Sequence, residues 1–177
     1  MNQNLIQIVR KLKGSLLGIG LDSQILDVIE KNDNIDNCFI MSDRHKFDKK
    51  FDFFGGGKDK KVNIKKIRKI FKKKSLDTII CNYQSIKPFL RRFTSNSIYI
   101  NKRKLYIYGQ IDDDDTEKIK KRYSRYQSQV EVIKAKTYTI IEVNNENINT
   151  SFFKDKIYLI LDLLNDVIDI LTTILVG

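Results

Sequence analysis

The stretch from Ser15 to Asp43, SLLGIGLDSQILDVIEKNDNIDNCFIMSD, decides the fold. Its opening, Ser15-Leu16-Leu17-Gly18-Ile19-Gly20, is a short apolar run closing in glycines, which reads as a buried parallel strand entering a tight turn. Asp22 or Ser23 is a natural cap for the helix that follows, and Ile25, Leu26, Val28 and Ile29 supply its buried stripe. Asn37-Cys38-Phe39-Ile40-Met41 then forms a second apolar strand, ending at Ser42-Asp43, so the stretch fills one β-α-β unit.

The same alternation extends outward in both directions. Upstream, Leu5, Ile8, Val9 and Leu12 fall on one face of a helix expected over 4–13. Downstream, 44–61 is basic, aromatic and glycine-containing, and reads as a loop with a short strand around 51–54. A helix is expected over 62–74, a strand over 76–82, and a helix over 85–93 with Pro88 near its first turn. The spacing over 97–111 predicts a strand or a hairpin bent at 101–104. The carboxylates Asp112 to Asp115 suit the N-terminus of a helix running to about 125, where the helix dipole favours negative charge. The runs 130–133 and 137–143 are expected to pair antiparallel, ahead of a final apolar helix over 155–176. Together these predict one α/β domain over 1–177, with a core at about 14–143. Its sheet is Rossmann-like, doubly wound and mostly parallel, closing in a C-terminal antiparallel hairpin.

This order resembles the class I S-adenosylmethionine-dependent methyltransferases, and three segments carry the likeness. Leu16-Leu17-Gly18-Ile19-Gly20-Leu21-Asp22 resembles the family's glycine-rich first motif, where a ligand's close approach needs residues without a Cβ. Asp43 stands at the place of the ribose-binding acid, and Asn82-Tyr83 partly resembles the substrate-side motif. The resemblance implies S-adenosylmethionine as cofactor, with Gly18, Gly20, Asp22, Asp43, Asn82 and Tyr83 around it. The pattern departs from the family where Leu16 and Leu17 replace an acid before the first glycine. Asp22 stands in place of a third glycine, and no prolines follow Asn82. No catalytic residue is assigned. The alternative is a non-catalytic nucleic-acid- or protein-binding module that keeps this fold.

Other features bound the partners. A net charge of +11 attracts polyanions, and a basic face over 58–74 carrying Lys65, Lys66, Lys69, Lys72 and Lys73, together with Arg91, Arg92, Lys102, Arg103 and Lys104, is the candidate contact with nucleic acid. An A/T-rich coding bias explains part of the lysine excess, and a solvated face accounts for the same residues. Gly55-Gly56-Gly57-Lys58 is followed by Asp59, which departs from a phosphate-binding loop. His45 is the only histidine, and no cluster has metal-ligand spacing. Cys38 and Cys81 sit in apolar runs, which suits reduced thiols in a cytoplasmic protein, and no signal peptide is legible. In the final helix Asp162, Asn165, Asp166 and Asp169 form a polar strip that argues against a membrane span. Its wide apolar face, including Leu164, Ile168 and Leu171, is expected to dock on the domain and to join a homodimer.

Overall fold

Strand β1 (Gly14–Ile19) is buried from Leu16 to Ile19, where the side chains of Leu16, Leu17 and Ile19 are apolar and the backbone polar groups are paired with a strand on each side. It pairs in parallel with β2 (Ile35–Met41) on one side and β4 (Leu76–Asn82) on the other. The computed structural model describes residues 3–41, 52–53, 67–135, 138–146 and 148, together with Ile157, Ile160 and Leu164. Outward from this centre lie the two-residue β3 (Asp52–Phe53) beside β2 and β5 (Asn101–Gly109) beside β4, both parallel. Strand β7 (Tyr138–Asn144) returns antiparallel to β5, and β6 (Gln129–Ala135) closes the edge. The seven strands run in the order β3-β2-β1-β4-β5-β7-β6. The sheet is thus mostly parallel with a C-terminal antiparallel hairpin, as expected.

Alternating side chains send β1 into two cores. Leu16 and Ile40 meet Leu5 and Val9 of α1 (Gln3–Arg10) and Ile25, Leu26 and Ile29 of α2 (Ser23–Glu30). Leu17 and Ile19 face the other layer, with Ile67 of α3 (Ile67–Ile70), Phe93 of α5 (Leu90–Ile100) and Tyr123 of α6 (Asp113–Ser124). Each such side chain contributes roughly 1.5–3 kcal/mol through burial. Helices on both faces make the sheet doubly wound.

Several bounds differ from expectation. Residues 62–66 lie outside the described residues, and α3 ends at Ile70 rather than at 74. Lys74 is left-handed (φ 54), and its N–H donates to Tyr99 O at 2.9 Å, which turns the chain into β4. The helix expected over 85–93 is broken in two. Helix α4 (Tyr83–Ile86) gives way to a 3-10 turn (Lys87–Phe89) holding Pro88, which has no N–H with which to continue the helix, and α5 then starts afresh. Residues 97–100, expected in a strand, complete α5. Residues Phe93 to Ser97 are all buried, as are Ile98 and Ile100, so the polar residues Thr94 to Ser97 do not mark a solvent-facing stripe that the sequence could reveal. No hairpin bends at 101–104, where β5 simply begins.

Candidate functional site

Strands β1, β4 and β5 are parallel, so their carboxyl ends, Ile19, Asn82 and Gly109, open on one edge of the sheet. Ligands of open α/β sheets collect at such an edge. It brings together Gly18, Gly20, Asp22, Asn82 and Tyr83; Asp43 lies outside the described residues.

Gly20 makes the turn with φ +59, a left-handed backbone that a side chain would strain. Its N–H donates to Met41 O at 2.9 Å, tying the turn to β2. A Cβ at Gly20 would fall on the hydroxyl of Ser85, 2.6 Å from Ser85 Cβ and 3.8 Å from Asn82 Cβ. At Gly18 it would meet Leu21 Cδ1 at 2.5 Å and Ile40 Cδ1 at 2.8 Å. The space that both glycines leave open is therefore taken by the protein itself.

Ser85 is held there by its helix. The Asn82 side chain caps α4, its Oδ1 accepting from the Gln84 N–H at 3.0 Å. Tyr83 and Ile86 anchor α4 in the core at 1% and 0% exposure. Burial raises the Tyr83 hydroxyl pKa, and a hydrogen bond to the Asp115 carboxylate raises it further. Asp115 also takes a 2.8 Å ion pair from Lys87, whose ammonium stands 5.5 Å over the Tyr83 ring. Asn82 is thus a helix cap and Tyr83 a buried anchor.

Asp22 is the N-cap of α2, yet its side chain makes no capping bond and is exposed. Its N–H donates to Tyr108 Oη at 3.2 Å. Tyr108 stacks on Tyr138 with ring centroids 5.8 Å apart, and burial, then the Asp22 charge, pushes both hydroxyls upward. Ser85, Tyr108 and Tyr138 were not singled out from sequence. The signal for the tyrosines was the β5–β7 pairing, which places position 138 diagonal to Tyr108, opposite Ile140. Ser85 had no signal, because its contact with Gly20 exists only after the chain folds.

An S-adenosylmethionine approaching the glycine turn needs free space above Gly20 and free backbone donors. Ser85 occupies the Cβ direction of Gly20, and Met41 O and Tyr108 Oη accept from the N–H groups of Gly20 and Asp22. These contacts crowd the turn on the side that faces α4. Among the described residues no group of three His, Cys, Asp or Glu is placed to hold a metal, and no helix is long and apolar enough to cross a membrane.

The strand order and the return of β7 define the Rossmann-like fold of the class I S-adenosylmethionine-dependent methyltransferases and related enzymes. No protein-family model and no curated protein matches the chain. Among solved structures it is similar to the methyltransferase domain of a bacterial Hen1, with TM-score 0.60 and 8% identity over 80% of this chain and 94% of that one. It is similar to magnesium protoporphyrin IX methyltransferase from Synechocystis PCC 6803 with bound S-adenosylhomocysteine, at TM-score 0.51 and 11% identity over 80% and 82%. An O-methyltransferase family protein from Burkholderia thailandensis gives TM-score 0.55 and 11% identity over 80% of this chain, which spans 55% of that protein.

Proposed function

We propose that this chain is a binding module on the methyltransferase fold that holds no methyl donor at its glycine turn. The observation carrying this reading is Ser85, which fills the Cβ direction of Gly20 from a helix anchored by Tyr83 and Ile86. A fold hosts many chemistries, so function follows this packing rather than the topology. Calorimetry on the full chain with S-adenosylmethionine and S-adenosylhomocysteine tests it. No saturable heat is expected, and one-site binding in the micromolar range would overturn the reading.

A second reading is an S-adenosylmethionine-binding methyltransferase of unnamed acceptor, with Gly18, Gly20, Asp22, Asp43, Asn82 and Tyr83 around the cofactor. The exposed, uncapped carboxylate of Asp22 favours it, since a free acid beside a glycine turn can accept hydrogen bonds from a ligand. The buried thiols of Cys38 and Cys81 support a reducing, cytoplasmic setting for either reading.

The same proposal includes a homodimer through the final helix. Ile157, Ile160 and Leu164 share one helical face and are 53%, 57% and 52% exposed. Changing all three to polar residues is expected to turn a dimer into a monomer by light scattering. A native chain that is monomeric at high concentration would contradict the dimer.

A further inference from the structure

Beside the carboxyl edge, the 3-10 turn and the start of α5 stand against α6 and enclose an open cleft of about 600 Å³. One wall is α6, where Asp115, Lys118 and Arg122 follow at helical spacing on a single face. The facing wall carries Lys87, Arg91 and Arg92. Among the described residues, five basic side chains thus line a concave surface with Asp115 as its one carboxylate. Asp115 is not a free acid in this cleft. It is mostly buried, bound by Lys87 at 2.8 Å, approached by Lys118 at 3.8 Å, and accepts the Tyr83 hydroxyl. Its charge is met by Lys87 from the facing wall, while Lys87 and Lys118 keep 50% and 64% of their side chains exposed and Arg92 is exposed. Phe89, half-buried, supplies an aromatic surface within the same cleft.

We propose that this cleft binds the phosphate backbone of single-stranded nucleic acid. Cations on two facing walls meet anionic oxygens from both sides, which a flat lysine-rich surface cannot do. Lys118 and Arg122 are separated by about 6 Å along the helix axis, the order of one phosphate-to-phosphate step of a strand. The charges therefore suit a chain of phosphates rather than one isolated anion. A concave cleft of this size takes a flexible strand, whereas a stiff duplex would rest on its rim. An aromatic ring beside a phosphate track is the usual partner of an unpaired base. The residues lining this cleft do not include Lys69, Lys72 or Lys73, and the site names the ligand that the binding-module reading leaves open. It does not depend on whether the glycine turn admits a cofactor, so failure of one titration leaves the other interpretable.

Fluorescence anisotropy of the full chain with a labelled single-stranded oligouridylate and a duplex of equal length tests the site. Arg92→Glu with Lys118→Glu reverses two exposed charges of the cleft, and Lys69→Glu with Lys72→Glu reverses two on the other basic surface. Unchanged thermal melts establish that both variants fold. The cleft variant is expected to lose tenfold or more in affinity, with a salt slope lower by about 1.4, while the other pair changes affinity less than about threefold. Equal losses in both variants would reduce the effect to overall charge and overturn the site. Undiminished binding in the cleft variant, or tighter binding of the duplex than of the single strand, would overturn it as well.

Discussion

Gly20 shows at residue scale how a sequence signal and its cause can differ. The glycine pair announces a close approach to the backbone, and the structure contains one, but the approaching group is Ser85 of α4. No local pattern could name Ser85, since its position depends on the β1–β4 pairing and on the cap made by Asn82. Gly20→Ala is therefore expected to destabilise the chain by more than the roughly 1–2 kcal/mol that a left-handed non-glycine residue costs. Ser85→Gly in the same chain should recover the excess, because the steric part is shared between the two residues. Denaturant melts of the two single variants and the double variant measure this coupling, and strictly additive losses would separate Ser85 from Gly20.

At the scale of elements, legibility followed amphipathic pattern. Strands β1 and β4 and the β6–β7 pair could be read because apolar runs bounded by turns have few other solutions. Helix α5 could not, because its end, Ser97-Ile98-Tyr99-Ile100, carries β-branched and aromatic residues and is packed on nearly every side. What keeps it helical is tertiary. Ser97 Oγ lies 2.9 Å from both Thr94 O and the Tyr123 hydroxyl. Another tie invisible to pattern is Asn32. Its buried Nδ2 donates to Val9 O at 2.9 Å and Leu12 O at 3.1 Å, and its Oδ1 accepts from the Asn34 N–H at 3.0 Å. It thereby closes the end of α1 onto the turn before β2. Asn32→Ala is expected to cost about 1–3 kcal/mol by leaving those carbonyls unpaired, read as an equivalent fall in unfolding free energy. A change within about 0.5 kcal/mol would show that water replaces the side chain.

Across the whole molecule, acid sensitivity gathers at a few paired carboxylates. Burial alone would raise the Asp115 pKa, but hydrogen bonds from Lys87 and Tyr83 and nearby lysine charge bring it below 3.8. Asp77 follows the same pattern, with burial opposed by hydrogen bonds from Ser15 and the Arg103 and Lys102 charges. A folded-state pKa below the unfolded value contributes stability that is full above 3.8 and disappears as pH falls through the folded value. Melting temperature is expected to hold steady from about pH 7 to 5 for these groups and to fall below about pH 4. Lys87→Met removes the counter-charge from Asp115 while leaving its burial, so its acid transition should begin at higher pH; an unshifted transition would remove this pair from the balance.

The central claim is that the glycine turn is closed by the protein's own side chains, and the Gly20 and Asp22 amides report on it directly. In an amide NMR titration of the full chain with S-adenosylhomocysteine, both resonances are expected to remain in place up to millimolar ligand. Saturable shifts of these two amides, with Ser85 moving alongside them, would contradict the account and place a cofactor at the turn.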